Sequence, residues 1–363
     1  MQAPKNGFFY VLDRQTGEFI SAENFVPVTW ASGIDENGRP KINSEAKYWE
    51  SGKAALVQPA WSGGHSWHPM SYSPQTGLVY IPAQEMSFPY LGEKSITVQK
   101  LGPNLGVSLS AGAFPDDPAV IAQIKASVRG HLAAWDPVTQ QEKWRVQYPG
   151  PWNGGVLSTA GGLVFQGTAA GFLNAYNAQT GEKLWEFAAQ SGIVAPPVSY
   201  EVDGEQYISV SVGWGGIFPL MTGPLTTNSS EAPINRSRLL TFKVDAEGKL
   251  PPVMEATRRM QDLSSLELDA RKIQEGGRIY DAKCIACHGT GAVGGGVIPD
   301  LRYSALLNSD VWFDVVLDGL LEPAGMVGFG SELTQDQAEA VRQYVIDRNQ
   351  FAHSIGDIQR LSR

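Results

Sequence analysis

Ala175-Tyr176-Asn177-Ala178-Gln179-Thr180-Gly181-Glu182-Lys183-Leu184-Trp185 fits a turn of the form Ala-x-Asp-x-x-Thr-Gly-x-x-x-Trp, and the chain repeats it. Ala134-Trp135-Asp136-Pro137-Val138-Thr139-Gln140-Gln141-Glu142-Lys143-Trp144 is a second copy, with glutamine in the glycine place. Leu12-Asp13-Arg14-Gln15-Thr16-Gly17 and Ser73-Pro74-Gln75-Thr76-Gly77 are partial copies. In such a turn the Asp or Asn and the Thr hydrogen-bond the local backbone, and Gly takes the left-handed position. The Trp is then free to pack between neighbouring units. Trp144 and Trp185 are about 41 residues apart, the repeat length of a four-stranded propeller blade. Short β-type runs surround the copies: Phe8 to Leu12, Leu78 to Ile81, Leu163 to Gln166 and Tyr207 to Val212. The pattern predicts an all-β propeller of about four blades over residues 1–243. These elements specify a scaffold and not a reaction.

Chemistry enters at Cys284-Ile285-Ala286-Cys287-His288, which contains the only two cysteines of the 363 residues. C-x-x-C-H is the attachment pattern of c-type haem: two thiols add to the vinyl groups and the adjacent imidazole binds iron. A disulfide, a redox dithiol and half of a zinc site are the competing readings. Zinc needs four ligands and only three lie here, while a thioredoxin-like dithiol needs βαβ surroundings that are missing. Upstream, the amphipathic run Leu266 to Ala282, containing Gly277 and Tyr280, predicts a helix leading into Cys284. Downstream come a glycine-rich loop, Gly289 to Gly296, and then Pro299-Asp300-Leu301. Gly325-Met326-Val327-Gly328-Phe329 sets the only methionine after the haem motif in a loop between helical segments. A methionine is more often core filler, but Met/His ligation of iron needs one here. Thr334 caps a final helix, Gln337 closes its capping box, and Ala338, Val341, Tyr344 and Val345 share one face. The tail from about 265 to 350 resembles an all-α class I cytochrome c domain.

Composition agrees with that division. Charged residues make up only 18%, against 40 Gly, 23 Pro and 10 Trp, the profile of a loop-rich β protein. A net charge of −9 without a basic cluster argues against nucleic acid as a partner. No stretch approaches 18 consecutive apolar residues, so no transmembrane segment is expected. Residues 244–264, polar and containing Pro251-Pro252, read as a linker, and 351–363 as a C-terminal tail. His65, His68, His131 and His353 have no ligand-like spacing and read as surface or hydrogen-bonded residues.

The propeller motifs resemble the tryptophan-docking repeat of the pyrroloquinoline quinone (PQQ) dehydrogenases. Pro4-Lys5-Asn6-Gly7-Phe8-Phe9-Tyr10-Val11-Leu12-Asp13-Arg14 is similar to the segment that brings that family's cationic residue to the quinone. Trp67-His68-Pro69-Met70-Ser71-Tyr72 and Val212-Gly213-Trp214-Gly215-Gly216 resemble two cofactor-lining segments, and Pro151-Trp152-Asn153-Gly154-Gly155 also reads as family sequence. With the cytochrome domain following, the chain resembles a quinohaemoprotein alcohol dehydrogenase over nearly its whole length.

The resemblance implies oxidation of primary alcohols, and of aldehydes, by PQQ, with electrons passing through covalent haem c to an external acceptor. That acceptor is a soluble redox protein or a membrane quinone system, and the compartment is the periplasm. It implies Lys5 as the catalytic cation beside the quinone, with Ser66, Trp67, Trp214 and Gly215 as cofactor contacts. Cys284 and Cys287 would attach haem, and His288 and Met326 would ligate its iron. Ser66 departs from the family's usual asparagine, replacing an amide by a shorter hydroxyl. Calcium and its carboxylate, the catalytic aspartate and a vicinal cysteine pair belong to sequence that precedes the lysine segment in the family. The expectation is therefore a C-terminal half, truncated or split, that works with an N-terminal propeller half and is nearly inactive alone. The alternative is an electron-transfer cytochrome c fused to an inactive propeller remnant.

Overall fold

The computed structural model describes residues 1–96, 98, 104–108, 117–222, 235–253, 260–296 and 298–354. Parts of the expected linker (254–259) and tail (355–363) lie outside the described residues. Sheets occupy the chain up to Lys243, and helices follow from Ala270.

β1 (Phe8–Leu12) and β2 (Phe19–Asn24) form an antiparallel pair, and β3 (Ala31–Ile34) and β4 (Pro40–Ile42) a small hairpin. After the single turn α1 (Tyr48–Ser51) come β5 (Ala55–Val57), β6 (Ser71–Ser73), β7 (Leu78–Glu85) and β8 (Phe88–Tyr90). α2 (Pro118–Ser127) precedes β9 (Arg129–Asp136) and β10 (Gln141–Tyr148). β6 and β7 continue into β9 and β10 as one four-stranded antiparallel sheet, while β5 and β8 pair outside it. β11 (Val156–Ser158), β12 (Leu163–Gly167), β13 (Phe172–Asn177) and β14 (Lys183–Ala188) make a second four-stranded meander. β15 (Val198–Val202), β16 (Glu205–Val212) and β17 (Arg238–Lys243) form a three-stranded sheet, with the short helix α3 (Ile217–Thr222) between β16 and β17. The architecture is that of a partial β-propeller. Among the described residues two of its sheets have four strands, and the first and last, β1–β2 and β15–β17, have two and three.

The repeated turn explains how neighbouring sheets lock. Asn177 Oδ1 accepts from the amides of Gln179 and Thr180, at 2.9 and 3.1 Å. Asp136 and Asp13 do the same in their copies. Gly181 has φ +76°, and a Cβ there would stand 2.6 Å from the Trp144 ring. Trp144 donates its indole N–H to Ala178 O at 3.2 Å, so the tryptophan of one repeat docks on the turn of the next. Trp185 continues the series edge-on against Phe242, at 5.3 Å between centroids. Gln140, in the glycine place of its copy, is left-handed at φ 54°. Its side chain accepts from Trp135 Nε1 (3.2 Å) and donates to Ser21 Oγ (2.8 Å), joining two sheets and offsetting the backbone cost.

The helical region comprises α4 (Ala270–Lys283), α5 (Ile285–His288), α6 (Val311–Val316) and α7 (Gln335–Ser354). α4 starts at Ala270, four residues after the predicted Leu266, because Asp269 caps it by accepting from the Arg271 amide at 2.8 Å. The capping box of α7 is present: the Gln337 amide donates to Thr334 Oγ1, and the Thr334 amide to Gln337 Oε1. α4 and α7 cross backbone to backbone at Gly276, where a Cβ would lie 1.9 Å from Ala340 O. Tyr280, Leu307, Trp312, Ala338, Val341 and Val345 fill the core around that crossing. The Trp312 indole donates to Ala338 O at 3.0 Å and ties α6 to α7.

Candidate functional site

The end of α4 and the single turn of α5 form the haem-motif site. The His288 amide donates to Cys284 O at 2.9 Å, and the buried Tyr280 hydroxyl to Gly289 O at 2.8 Å. Gly289 is required: φ is +77°, and a Cβ would lie 2.3 Å from Val293 O. Met326 is carried by a loop pinned at both ends. Its amide donates to Leu321 O at 3.1 Å, Gly325 is left-handed at φ +92°, and the Phe329 amide donates to Val316 O at 2.8 Å. The two side chains meet, with His288 Nε2 3.5 Å from Met326 Sδ.

The donor chemistry suits covalent haem. Burial lowers the His288 pKa and favours the neutral imidazole that a metal needs. Both cysteines are free thiols. Burial pushes the Cys284 thiol up to about 12, opposite to the lowered value of a reactive dithiol. A neutral imidazole and a thioether brought together are a donor pair that would hold the iron of a c-type haem.

The second group of predicted residues comes together around an aromatic cluster. Lys5, exposed, donates from Nζ to Trp61 O at 3.3 Å. A Cβ on Gly63 would overlap the Lys5 stem at 2.6 Å, so this glycine lets the lysine segment lie against the Trp61 loop. Trp67 is 58% exposed and stacks on His68, with centroids 4.2 Å apart. His68 meets Trp152 edge-on at 4.7 Å, and Trp152 lies flat on Phe218 of α3 at 4.4 Å and 8°. Trp214, 8% exposed, joins the same cluster, its backbone held from both sides by Asn235. Gly215 borders open space, and Ser66 is half-buried. Four buried polar atoms of this region, Ser62 Oγ, His68 Nε2, Trp152 Nε1 and Trp214 Nε1, have no partner among the described residues. Two of them are indole donors, and the carboxylates and carbonyls of an acidic quinone supply acceptors for such groups.

No three His, Cys, Asp or Glu side chains converge to hold a metal among the described residues.

Sequence reading missed the element that joins the two sites. α3 presents Phe218 to Trp152 on one side. On the other, Thr290 Oγ1 donates to Met221 O at 3.0 Å, and a Cβ on Gly295 would lie 2.7 Å from Pro219. The loop after His288 thus sits on the helix that closes the aromatic cluster. Trp152 reads from sequence as family residue without a site role, and His65 as a surface or hydrogen-bonded histidine, of which the structure shows the second. Only their three-dimensional neighbours distinguish them.

Compared with known proteins, residues 126–208 match the family described as glucose/ethanol/alcohol dehydrogenase, beta-propeller domain. Residues 271–345 match that of cytochrome C oxidase, cbb3-type, subunit III. The quinohemoprotein alcohol dehydrogenase ADH-IIG of Pseudomonas putida is 44% identical over 98% of this chain and 50% of its own length. The chain is a homologue of the quinohaemoprotein alcohol dehydrogenases. The solved structure of the Pseudomonas putida protein superposes on all of the chain, and on 53% of itself, with a TM-score of 0.91 and 42% identity. The quinohemoprotein alcohol dehydrogenase of Comamonas testosteroni gives 0.77, with 38% identity over 97% of this chain and 50% of that one. The chain spans about half the length of the curated relatives it matches, which fits a C-terminal portion. PQQ and haem c are the cofactor classes of this homologous group. Among the described residues no helix is long and apolar enough to cross a membrane.

Proposed function

We propose that this chain is the haem-bearing part of a PQQ-dependent dehydrogenase that oxidises primary alcohols, and aldehydes, and delivers electrons to an external acceptor. When bound, PQQ accepts two electrons and two protons from the alcohol, and haem c passes electrons on singly. Within this division of labour, residues 1–243 form the propeller part, 244–264 the linker, 265–350 the cytochrome domain and 351–363 the tail.

Lys5 is the cation beside the quinone oxygens, where an ammonium stabilises developing negative charge. Trp67, Trp214, Gly215 and Ser66 line the ring and its carboxylates. Cys284 and Cys287 would attach haem c, and His288 and Met326 would hold its iron, where a methionine sulfur raises the reduction potential. No carboxylate lies within ion-pair distance of Lys5 among the described residues. The family resemblance places the proton-abstracting base and calcium in sequence that precedes the lysine segment, and both are assigned to a separate N-terminal propeller half. The acceptor is a soluble redox protein or a membrane quinone system, and the compartment is the periplasm.

The observation that carries this reading is the contact of one short helix, α3, with both the aromatic cluster and the loop after His288. The test uses the haem-loaded chain with PQQ and calcium, with and without a supplied N-terminal half, and follows haem reduction by ethanol in absorbance. Reduction is expected only with the added half, and about 10²-fold slower for Lys5→Ala. No ethanol-driven reduction in either mixture would leave an electron carrier on an inactive propeller remnant.

A further inference from the structure

Between the sheet ending in β10 and the β11–β14 sheet lies a cavity of about 300 Å³, at the lower end of the range for small-molecule sites. Its lining runs from the exposed Lys183–Glu186 ion pair to the buried Trp214 and Phe218. Asn174, 4% exposed, lines it from β13, while Leu173 beside it packs the other way, against Val210 and Val212. A one-way chain of hydrogen bonds ends at this asparagine. Gln166 Nε2 donates to Gly154 O at 2.8 Å, so its Oε1 accepts from the Tyr148 hydroxyl at 2.8 Å. With its proton committed there, Tyr148 accepts from the Tyr176 hydroxyl at 3.0 Å, and Tyr176 accepts from Asn174 Nδ2 at 2.9 Å. Burial raises the pKa of both tyrosines, so both stay neutral donors. Asn174 is left with one N–H and with Oδ1, which is buried and has no partner among the described residues. A buried acceptor in that state costs its lost hydration in full.

The walls decide what suits it. Asn153 Oδ1 and Thr168 Oγ1, also on the lining, already accept from the Ala169 and Phe172 amides at 3.0 and 3.1 Å. Lys183 and Glu186 are the charged side chains of the described lining, and they neutralise each other at 2.6 Å on the surface. A charged ligand therefore finds no counter-ion inside. An ether or an aldehyde accepts but cannot donate to Oδ1, whereas a hydroxyl does both. Phe172, Pro149 and Trp214 offer apolar surface to whatever the hydroxyl carries. We infer that this cavity binds a neutral short-chain alcohol, whose hydroxyl accepts from Asn174 Nδ2 and donates to its Oδ1 while the carbon tail lies on those apolar walls. That the alcohol held here is on its way to a quinone beside Trp214 rests on the reading proposed above; the binding itself does not.

The test is ¹⁹F line broadening of 4,4,4-trifluorobutan-1-ol titrated into the reduced, haem-loaded full chain without PQQ. Saturable binding with a dissociation constant on the order of 1 mM is expected. A resonance unchanged across the titration would leave the cavity to water and overturn the proposal. Asn174→Leu, which keeps the volume and removes both polar atoms, should weaken binding about tenfold. Ala170→Phe fills the cavity from its half-buried rim, leaves the hydrogen-bond chain intact and should abolish binding. Full affinity in either folded variant would overturn the proposal. Butan-1-ol should displace the probe at about a tenth of the concentration needed by its isomer methyl propyl ether, which cannot donate. Equal displacement by the two would also overturn it. The two proposals separate cleanly. Ethanol-driven haem reduction with the added half but no probe binding sinks the cavity site alone, and probe binding without haem reduction sinks the dehydrogenase reading alone.

Discussion

The haem-motif site is assembled from five contiguous residues and a methionine 38 positions on, whereas the aromatic site draws on segments from Ala3 to Trp214. The first depends on a short helix, a loop and one tight helix crossing. The second depends on sheets being locked side by side by docked tryptophans. The contrast teaches that the two regions should fail differently: the helical one abruptly at a point of contact, the propeller gradually as its sheets loosen.

Gly276→Ala should give the largest effect. A methyl group 1.9 Å from Ala340 O cannot be absorbed by side-chain rotation, because the obstacle is backbone. A cost of about 3 kcal/mol or more is expected, as for overpacking without relief. Thermal scans should show loss of the helical transition while far-ultraviolet sheet signal persists. Simultaneous loss of both would mean that the regions fold as one unit.

Trp144→Ala tests the other side of the comparison. It removes the ring that covers Gly181 and the bond to Ala178 O, at about 2–4 kcal/mol, measured by denaturant titration of the propeller signal. The transition should broaden as adjacent sheets uncouple. A sharp, merely shifted transition would contradict docking as the coupling device.

The regions should also respond to pH with opposite sign. Burial holds His68 and His131 near 3, below the ordinary 6.5, so the folded propeller binds fewer protons than the unfolded chain between those values. Its stability from these groups is therefore present above 6.5 and lost as pH falls through the window. Burial raises Asp281 in α4 from 3.8 to about 6, so there the folded state binds more protons, and stability is lost as pH rises from about 4 to 6. Asp281→Asn should stabilise the helical region at pH 7 on the order of 1 kcal/mol and flatten that dependence, read from its melting temperature between pH 4 and 7.

The smallest effect concerns Gln140. At φ 54° a glycine alone would be favoured, yet Gln140→Gly should cost about 1 kcal/mol because two side-chain bonds are lost, one within its own hairpin to Trp135 and one to Ser21 of the neighbouring sheet. A gain in stability on denaturant titration would show that those bonds contribute nothing.

Legibility followed the same divide. The turn repeat, the capping box at Thr334 and Gln337, and the pairing of His288 with Met326 were readable because their chemistry is local or uses rare residue types. The partial propeller was readable, but which described sheets have two, three or four strands was not, since turn residues mark repeats and do not count the strands that pair. Sequence reading singled out Gly277, which meets only the Tyr344 ring, and passed over Gly276, because only α7 on the other side tells them apart. α3 joins both sites but carries no motif. His65 lacks ligand spacing, and its two carbonyls, from residues 3 and 68, are invisible in a linear reading.

The central claim is that His288 and Met326 ligate the iron of a haem bound covalently through Cys284 and Cys287. The most direct measurement is near-infrared magnetic circular dichroism of the matured, oxidised chain, paired with its mass after denaturation. One haem retained per denatured chain, with a methionine–histidine signature that disappears in Met326→Ala, is the predicted result. A chain that releases its haem on denaturation, or a signature unchanged by Met326→Ala, would contradict it.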